Sequence, residues 1–194
     1  MSPILQTLAN GSAYGYRTLA AGGGTAFESI ATATGTGSSA TITFSSIPST
    51  YTSLQIRFSC ATTDATTDAS AGLRFNSDSG SNYTYHWLYG SGSSAAATAG
   101  TAQNRIQTAA FYPGTSYAST MGVGVIDIHN YASTTQNKTA RIINGWDANG
   151  AGYIDLVSGL WLSTTAITSL SIVNISSQNF STSSTFSLYG IKGA

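Results

Sequence analysis

The chain has 194 residues and very little charge, since seven basic and seven acidic side chains give a formal net charge of zero. This length suits one domain, or one domain with an arm, with a core that is stable without disulfides. A neutral chain carries no electrostatic footprint for nucleic acid or an anionic membrane, and no apolar run is long enough to span a bilayer. We therefore expect neither a nucleic-acid nor a membrane partner.

The first 39 residues differ in composition from the rest. Apolar and aromatic residues are scattered among Asn, Gly, Ala and Ser, with neither a two-residue nor a helical period. We expect residues 1–39 to be an extended N-terminal anchoring arm and linker that docks on another protein. The alternative is a disordered tail. The residues expected to anchor the arm are Ile4, Leu5, Leu8, Tyr14 and Tyr16.

From residue 40 onward the sequence is typical of short β-strands. In 51–60, apolar side chains alternate with polar ones up to Cys60, which predicts a half-buried strand and a cysteine in the core. In 121–129, Val123 and Val125 face one way and Ile126 the other, which predicts a central strand in a sheet that is covered on both sides.

Further strands are predicted at 41–44, 104–111, 139–145, 153–162, 167–175 and 185–191, the strand at 153–162 with a possible break at Ser158–Gly159. Residues 91–102, rich in small side chains, are predicted to form an exposed loop. Many short strands separated by turn residues predict an all-β fold, with residues 40–194 as an antiparallel, jelly-roll-like β-sandwich.

Residues 73–90 are predicted to form a β-hairpin whose turn is built from Asn, Ser, Asp and Gly. Its second arm carries four aromatic side chains on one strand face. We expect this face to be the inside of the sandwich or a subunit interface, where aromatics are enriched. The alternative is a platform for a host-surface glycan. The four side chains are Tyr83, Tyr85, Trp87 and Tyr89.

The sequence offers little to a metal or cofactor. His86 and His129 lack partners at ligand spacing, and a zinc site needs three or four protein ligands. Oxygen-bearing side chains alternate through Asn76, Asp78 and Asn82, but the carboxylates and bidentate Glu of a calcium loop are missing. We expect no metal and no cofactor.

Catalytic patterns are also weak. Asp127 and Asp155 lie inside predicted strands and are the candidate pair for glycoside cleavage, which generally needs two carboxylates across a cleft. A strand-interior Asp is more often paired with Arg, and Arg141 is a plausible partner for Asp127. The sequence has no nucleophile elbow and no phosphate-binding loop, so we expect no catalytic residues.

Several segments have distinctive sequences: TFSSIPSTYTSLQIR at 43–57, LRFNSDSGSNY at 73–83, HWLYG at 86–90, SGLW at 158–161 and FSLYGIKG at 186–193. In this order they resemble segments of structural proteins of tailed bacteriophages, over about residues 40–194.

The resemblance implies a non-enzymatic virion component: a capsid decoration (cement or head fibre), or part of a tail fibre or knob. It implies capsid or tail proteins as partners and a homo-oligomer, frequently a homotrimer. It supplies no catalytic residues. The alternative function is a carbohydrate-binding module for host-surface adsorption.

Overall fold

The computed structural model contains 12 β-strands and no helix among the residues that it describes, so none of these residues forms a helix that could cross a membrane. The described residues are 26–63, 65, 69–113, 117, 120–175 and 178–193. The strands are β1 (Phe27–Thr34), β2 (Thr41–Phe44), β3 (Ser53–Thr62), β4 (Ala69–Phe75), β5 (Tyr83–Gly90), β6 (Ala95–Gln103), β7 (Ile106–Pro113), β8 (Gly122–His129), β9 (Lys138–Asp147), β10 (Gly152–Trp161), β11 (Leu170–Asn174) and β12 (Thr185–Ile191).

The strands form two antiparallel sheets. The larger sheet has the order β1-β12-β3-β8-β9-β10-β5-β6, and the smaller sheet has the order β2-β11-β4-β7. A short parallel contact between β3 and β7 joins the two sheets. Most connections pass from one sheet to the other, and the predicted all-β, jelly-roll-like antiparallel sandwich is confirmed.

The core lies between the two sheets. From β3, the alternate residues Leu54, Ile56 and Cys60 are fully buried, as their spacing predicts. Phe58 stacks on Phe186 of β12 with ring centroids 5.8 Å apart. Burying each such side chain stabilises the fold by about 1.5–3 kcal/mol. The Cys60 thiol belongs to this core, and its burial raises its pKa.

Two strands at the edges of the larger sheet were not predicted. Residues 27–34, expected to belong to the arm, form β1 and pair with β12. Residues 95–103 form β6 and pair with β5, so the prediction of an exposed loop at 91–102 is wrong. Backbone pairing with one neighbour holds both strands. The sequence does not reveal it, because a register shift between Ser29 and Ala31 interrupts the alternation in β1 and the side chains of β6 are nearly all small. The anchoring residues Ile4, Leu5, Leu8, Tyr14 and Tyr16 lie outside the described residues.

The larger sheet has an inner face toward the smaller sheet and an outer face turned away from it. Ile126 and Ile128 of β8 are fully buried on the inner face, whereas Val123 on the outer face is 55% exposed. The prediction that β8 is covered on both sides is therefore wrong for the described part of the chain. The predicted break in 153–162 is also absent, because β10 pairs without interruption with β9 and β5.

Candidate functional site

The aromatic row of β5 lies on the inner face of the sheet. Tyr83 is fully buried, and its ring stacks on Trp161 with centroids 6.2 Å apart. Its hydroxyl accepts a hydrogen bond from the Phe75 amide at 3.0 Å and donates to the Asp78 carbonyl at 3.1 Å. Burial raises the pKa of Tyr83 to about 12. Tyr83 is a core residue that ties β5 to the preceding turn.

The rest of the row is half-buried. Tyr85 and Trp87 pack against the core, and the Trp87 indole donates a 2.7 Å hydrogen bond to Asp155. Tyr89 contacts Trp87 and Tyr153, with ring centroids 4.9 Å and 6.3 Å apart. The geometry favours packing as the role of Tyr83, Tyr85, Trp87 and Tyr89, and binding of a glycan by these residues stays a prediction.

The turn after β4 uses its polar groups internally. The Asp78 carboxylate accepts hydrogen bonds from the Trp161 indole at 2.7 Å, the Asn82 amide at 2.9 Å and the Gly80 backbone at 2.8 Å. The bond from Trp161 is the largest cause that lowers the pKa of Asp78. These oxygens stabilise the turn between β4 and β5. The prediction of a β-hairpin at 73–90 is wrong, because β4 pairs with β11 and β7 in the smaller sheet, whereas β5 pairs with β10 and β6 in the larger sheet. Among the described residues, no cluster of three or more His, Cys, Asp or Glu side chains could hold a metal.

Asp127 has the partner that the sequence suggested. Arg141 forms a 3.0 Å salt bridge with it, and Gln55 donates to its other oxygen at 2.8 Å. Partial burial acts to raise the pKa of Asp127, but the hydrogen bonds from Gln55 and Arg141 outweigh it, and the pKa is lowered. This carboxylate is held ionised on the outer face by neighbours on β3 and β9.

The sheet separates the two carboxylates that sequence reasoning considered as a pair. Asp127 lies on the outer face, in register with Arg141. Asp155 is 1% exposed on the inner face, in register with Asn144 and Tyr89. Two groups on opposite faces cannot flank one glycosidic bond. The geometry therefore assembles no acid–base pair from these residues.

The two histidines are exposed on the outer face. His86 on β5 lies opposite Ser158, and His129 on β8 lies opposite Thr139. Two strands separate β5 from β8, which places the two backbones about 14 Å apart across the sheet. The histidines therefore do not come together as ligands.

The most unusual surface is one that sequence reasoning missed. Five large aliphatic side chains are exposed on the outer face of β5, β8, β9 and β10, and cross-strand register makes them neighbours. We call them the outer patch: Leu88, Val123, Ile143, Ile154 and Leu156. The signal that could have revealed it is an apolar pair at adjacent positions in several strands, such as Ile142–Ile143 and Leu156–Val157, because adjacent strand residues face opposite ways.

An open groove of about 1170 Å³ lies over the outer patch. Its walls include Val123, Ile143 and Ile154, together with the turns at 90–93 and 150–152. Gly145 contributes no side chain to the floor. The groove is mainly apolar, so it suits another protein surface better than a charged ligand.

In comparisons with known proteins, no family model, no curated protein and no solved structure matches this chain.

Proposed function

We propose that the chain is a non-enzymatic structural component of a tailed-bacteriophage virion, either a capsid decoration (cement or head fibre) or part of a tail fibre or knob. The observation that carries this proposal is the position of the segments that resemble such proteins. They coincide with turns and strands whose polar groups stabilise the fold, and none contributes to an acid–base or metal cluster.

Segment 43–57 illustrates this structural role. It runs from β2 through a turn into β3, and Tyr131 from the loop after β8 holds the turn in place. The Tyr131 hydroxyl donates to the Pro48 carbonyl and accepts from the Tyr51 amide at 3.2 Å. Both bonds involve the backbone, so they fix the course of the chain between β2 and β3.

In this proposal the sandwich stands outward and residues 1–25 supply the anchor to the capsid or tail. An extended segment of that length reaches up to about 85 Å, enough to cross onto a neighbouring subunit. The chain acts as a homo-oligomer within the virion. The resemblance implies three copies, whereas the contact proposed in the next subsection closes with two, and the mass of the chain in solution decides between them.

The test is incorporation into particles. We expect the full chain in purified virions of the source phage, and we expect a variant without residues 2–25 to fold but to be lost from particles. The deletion keeps β1 intact, so thermal denaturation of the purified variant serves as the folding control. Virions that lack the full chain contradict the structural role, whereas normal incorporation of the truncated variant contradicts only the anchor.

A further inference from the structure

The outer patch is an apolar face that no described strand covers. Val123, Ile143 and Ile154 are 55%, 52% and 66% exposed. Five aliphatic side chains exposed to this degree present on the order of 500 Å², near the upper end for the largest apolar patch on a soluble monomer. An exposed apolar surface of this size is typical of a protein–protein interface. The low charge of the chain also favours association.

We propose that a second copy of this chain covers the outer patch face to face, about a two-fold axis that lies in the interface and runs across the strands. This deepens the homo-oligomer part of the proposed function and rests on that part alone. The patch is complementary to itself under this rotation.

The complementarity follows from the register. Two neighbouring rows of residues cross β8, β9, β10 and β5 on the outer face. The first row is Val125, Ile143, Leu156 and Leu88, and the second is Val123, Gly145, Ile154 and Gly90.

An axis between the two rows exchanges them, so each row of one copy lies over the other row of the second copy. Ile143 then meets Gly145 of the second copy, and Leu88 meets Gly90. These two large side chains thus lie opposite glycines. At the other two positions aliphatic side chains meet: Val125 packs on Val123 of the second copy, and Leu156 packs on Ile154. Facing sheets pack about 10 Å apart, and their side chains interdigitate. A large side chain opposite a glycine fits this spacing, because the glycine leaves room for it.

Charge supports the same axis. Arg141 and Asp147 lie on the outer face of β9, each two residues beyond the rows just described, and both are exposed. The rotation that places Ile143 over Gly145 also places Arg141 over Asp147 of the second copy, once on each side of the axis. Opposite charges at the rim fix orientation and register more than they add affinity.

The area is also adequate. The patch supplies roughly 500 Å² of the about 800 Å² per partner in a standard interface. The turns that wall the groove and the charged rim can supply the rest. The two-fold contact is isologous, so it closes with two copies.

The experiment is light scattering of the full-length chain over a concentration series. We expect twice the mass of one chain for the wild type and one chain for Ile143→Lys, because a lysine over the partner's Gly145 buries a charge. The control is Leu162→Lys: Leu162 is likewise about half exposed but follows β10 outside the patch. It is expected to keep the wild-type mass.

A second variant separates specific packing from general hydrophobic association. A Cβ at Gly90 meets only Ile154 Cγ2, at 3.5 Å, so Gly90→Phe is expected to fold. It adds apolar surface but fills the gap that receives Leu88 of the second copy. We expect the dimer dissociation constant to rise at least tenfold, and wild-type association of this variant would overturn the arrangement.

The remaining outcomes are distinguishable. A wild-type mass of three chains, or an Ile143→Lys variant that keeps the wild-type mass, overturns the two-fold contact. Either result is still consistent with a homo-oligomer. A wild type that is monomeric at all concentrations overturns both. Neither result bears on the virion role, which incorporation into particles tests separately.

Discussion

Lys138 is a fully buried charged residue with a specific local role. Its ammonium group donates to the carbonyls of Ser133, Gln136 and Thr164, at 2.7, 2.6 and 3.1 Å. Burial lowers the pKa of Lys138. The ammonium group ties the loop after β8 and the loop after β10 to the start of β9, so its three bonds order two loops at once.

We predict that Lys138→Met lowers the free energy of unfolding by about 3 kcal/mol, since three backbone carbonyls lose a charged donor. Lys192→Met is the matched control, because Lys192 is partly exposed and forms a surface pair with Glu28. Solvent screens a surface pair of this kind, so its loss is expected to cost far less. Denaturant unfolding measures both values, and equal losses for the two variants would contradict the role of Lys138.

Asp78 makes the stability depend on pH. Its pKa is lower in the folded chain than the usual value, chiefly through the Trp161 hydrogen bond. A carboxyl group of this kind stabilises the fold fully above its unfolded pKa, and the contribution is lost as the pH falls through that value toward the folded pKa. We predict that Asp78→Asn flattens the decline in stability between about pH 5 and 3. Thermal unfolding across this range measures it, and an unchanged decline would rule the prediction out.

Among the strands, β10 shows how closely one sheet packs on the other. A Cβ at Gly159 would lie 2.3 Å from Ile106 Cγ2 of β7. We predict that Gly159→Ala costs about 1–3 kcal/mol, because the core must shift to admit one methyl group. Ser158→Ala is the control, since Ser158 is the neighbouring residue on the same strand and is exposed on the outer face, outside the outer patch. Denaturant midpoints measure both, and a neutral Gly159→Ala would mean that Ile106 moves aside freely.

Whether a strand could be predicted from the sequence depends on the pattern of its side chains. β3 could be predicted because its apolar residues alternate, and alternation indicates a half-buried strand. β1 and β6 could not. A register shift between Ser29 and Ala31 interrupts the alternation in β1, the side chains of β6 are nearly all small, and the evidence for both strands is the backbone pairing itself. For the candidate site, the common face of the β5 aromatics was predictable from their two-residue spacing. The outer patch was predictable in part: adjacent apolar pairs such as Ile142–Ile143 indicate a second apolar face, but on β8 that face was predicted to be covered.

For the whole molecule, β1 divides the N-terminal region in two. Residues 27–34 pair with β12, and Glu28 there accepts hydrogen bonds from Lys192 and Tyr51. We predict that a chain starting at residue 26 melts at the wild-type temperature. A chain starting at residue 35 is expected to melt lower, because β12 loses its neighbour. Calorimetry compares the two, and equal melting temperatures would show that β1 contributes nothing to the sandwich.

The two apolar faces of the larger sheet also affect how its strands find their alignment. A slip of one residue in β9 would exchange Ile142 and Ile143 between the faces, so at this point burial alone barely distinguishes the native alignment from the shifted one. The polar ends of the strand distinguish them instead: in the shifted strand Lys138 would leave its three carbonyls and Arg141 would turn away from Asp127. Lys138 and Arg141 therefore favour the native alignment of β9 over the shifted one, a role in alignment for two of the few charged residues in this chain.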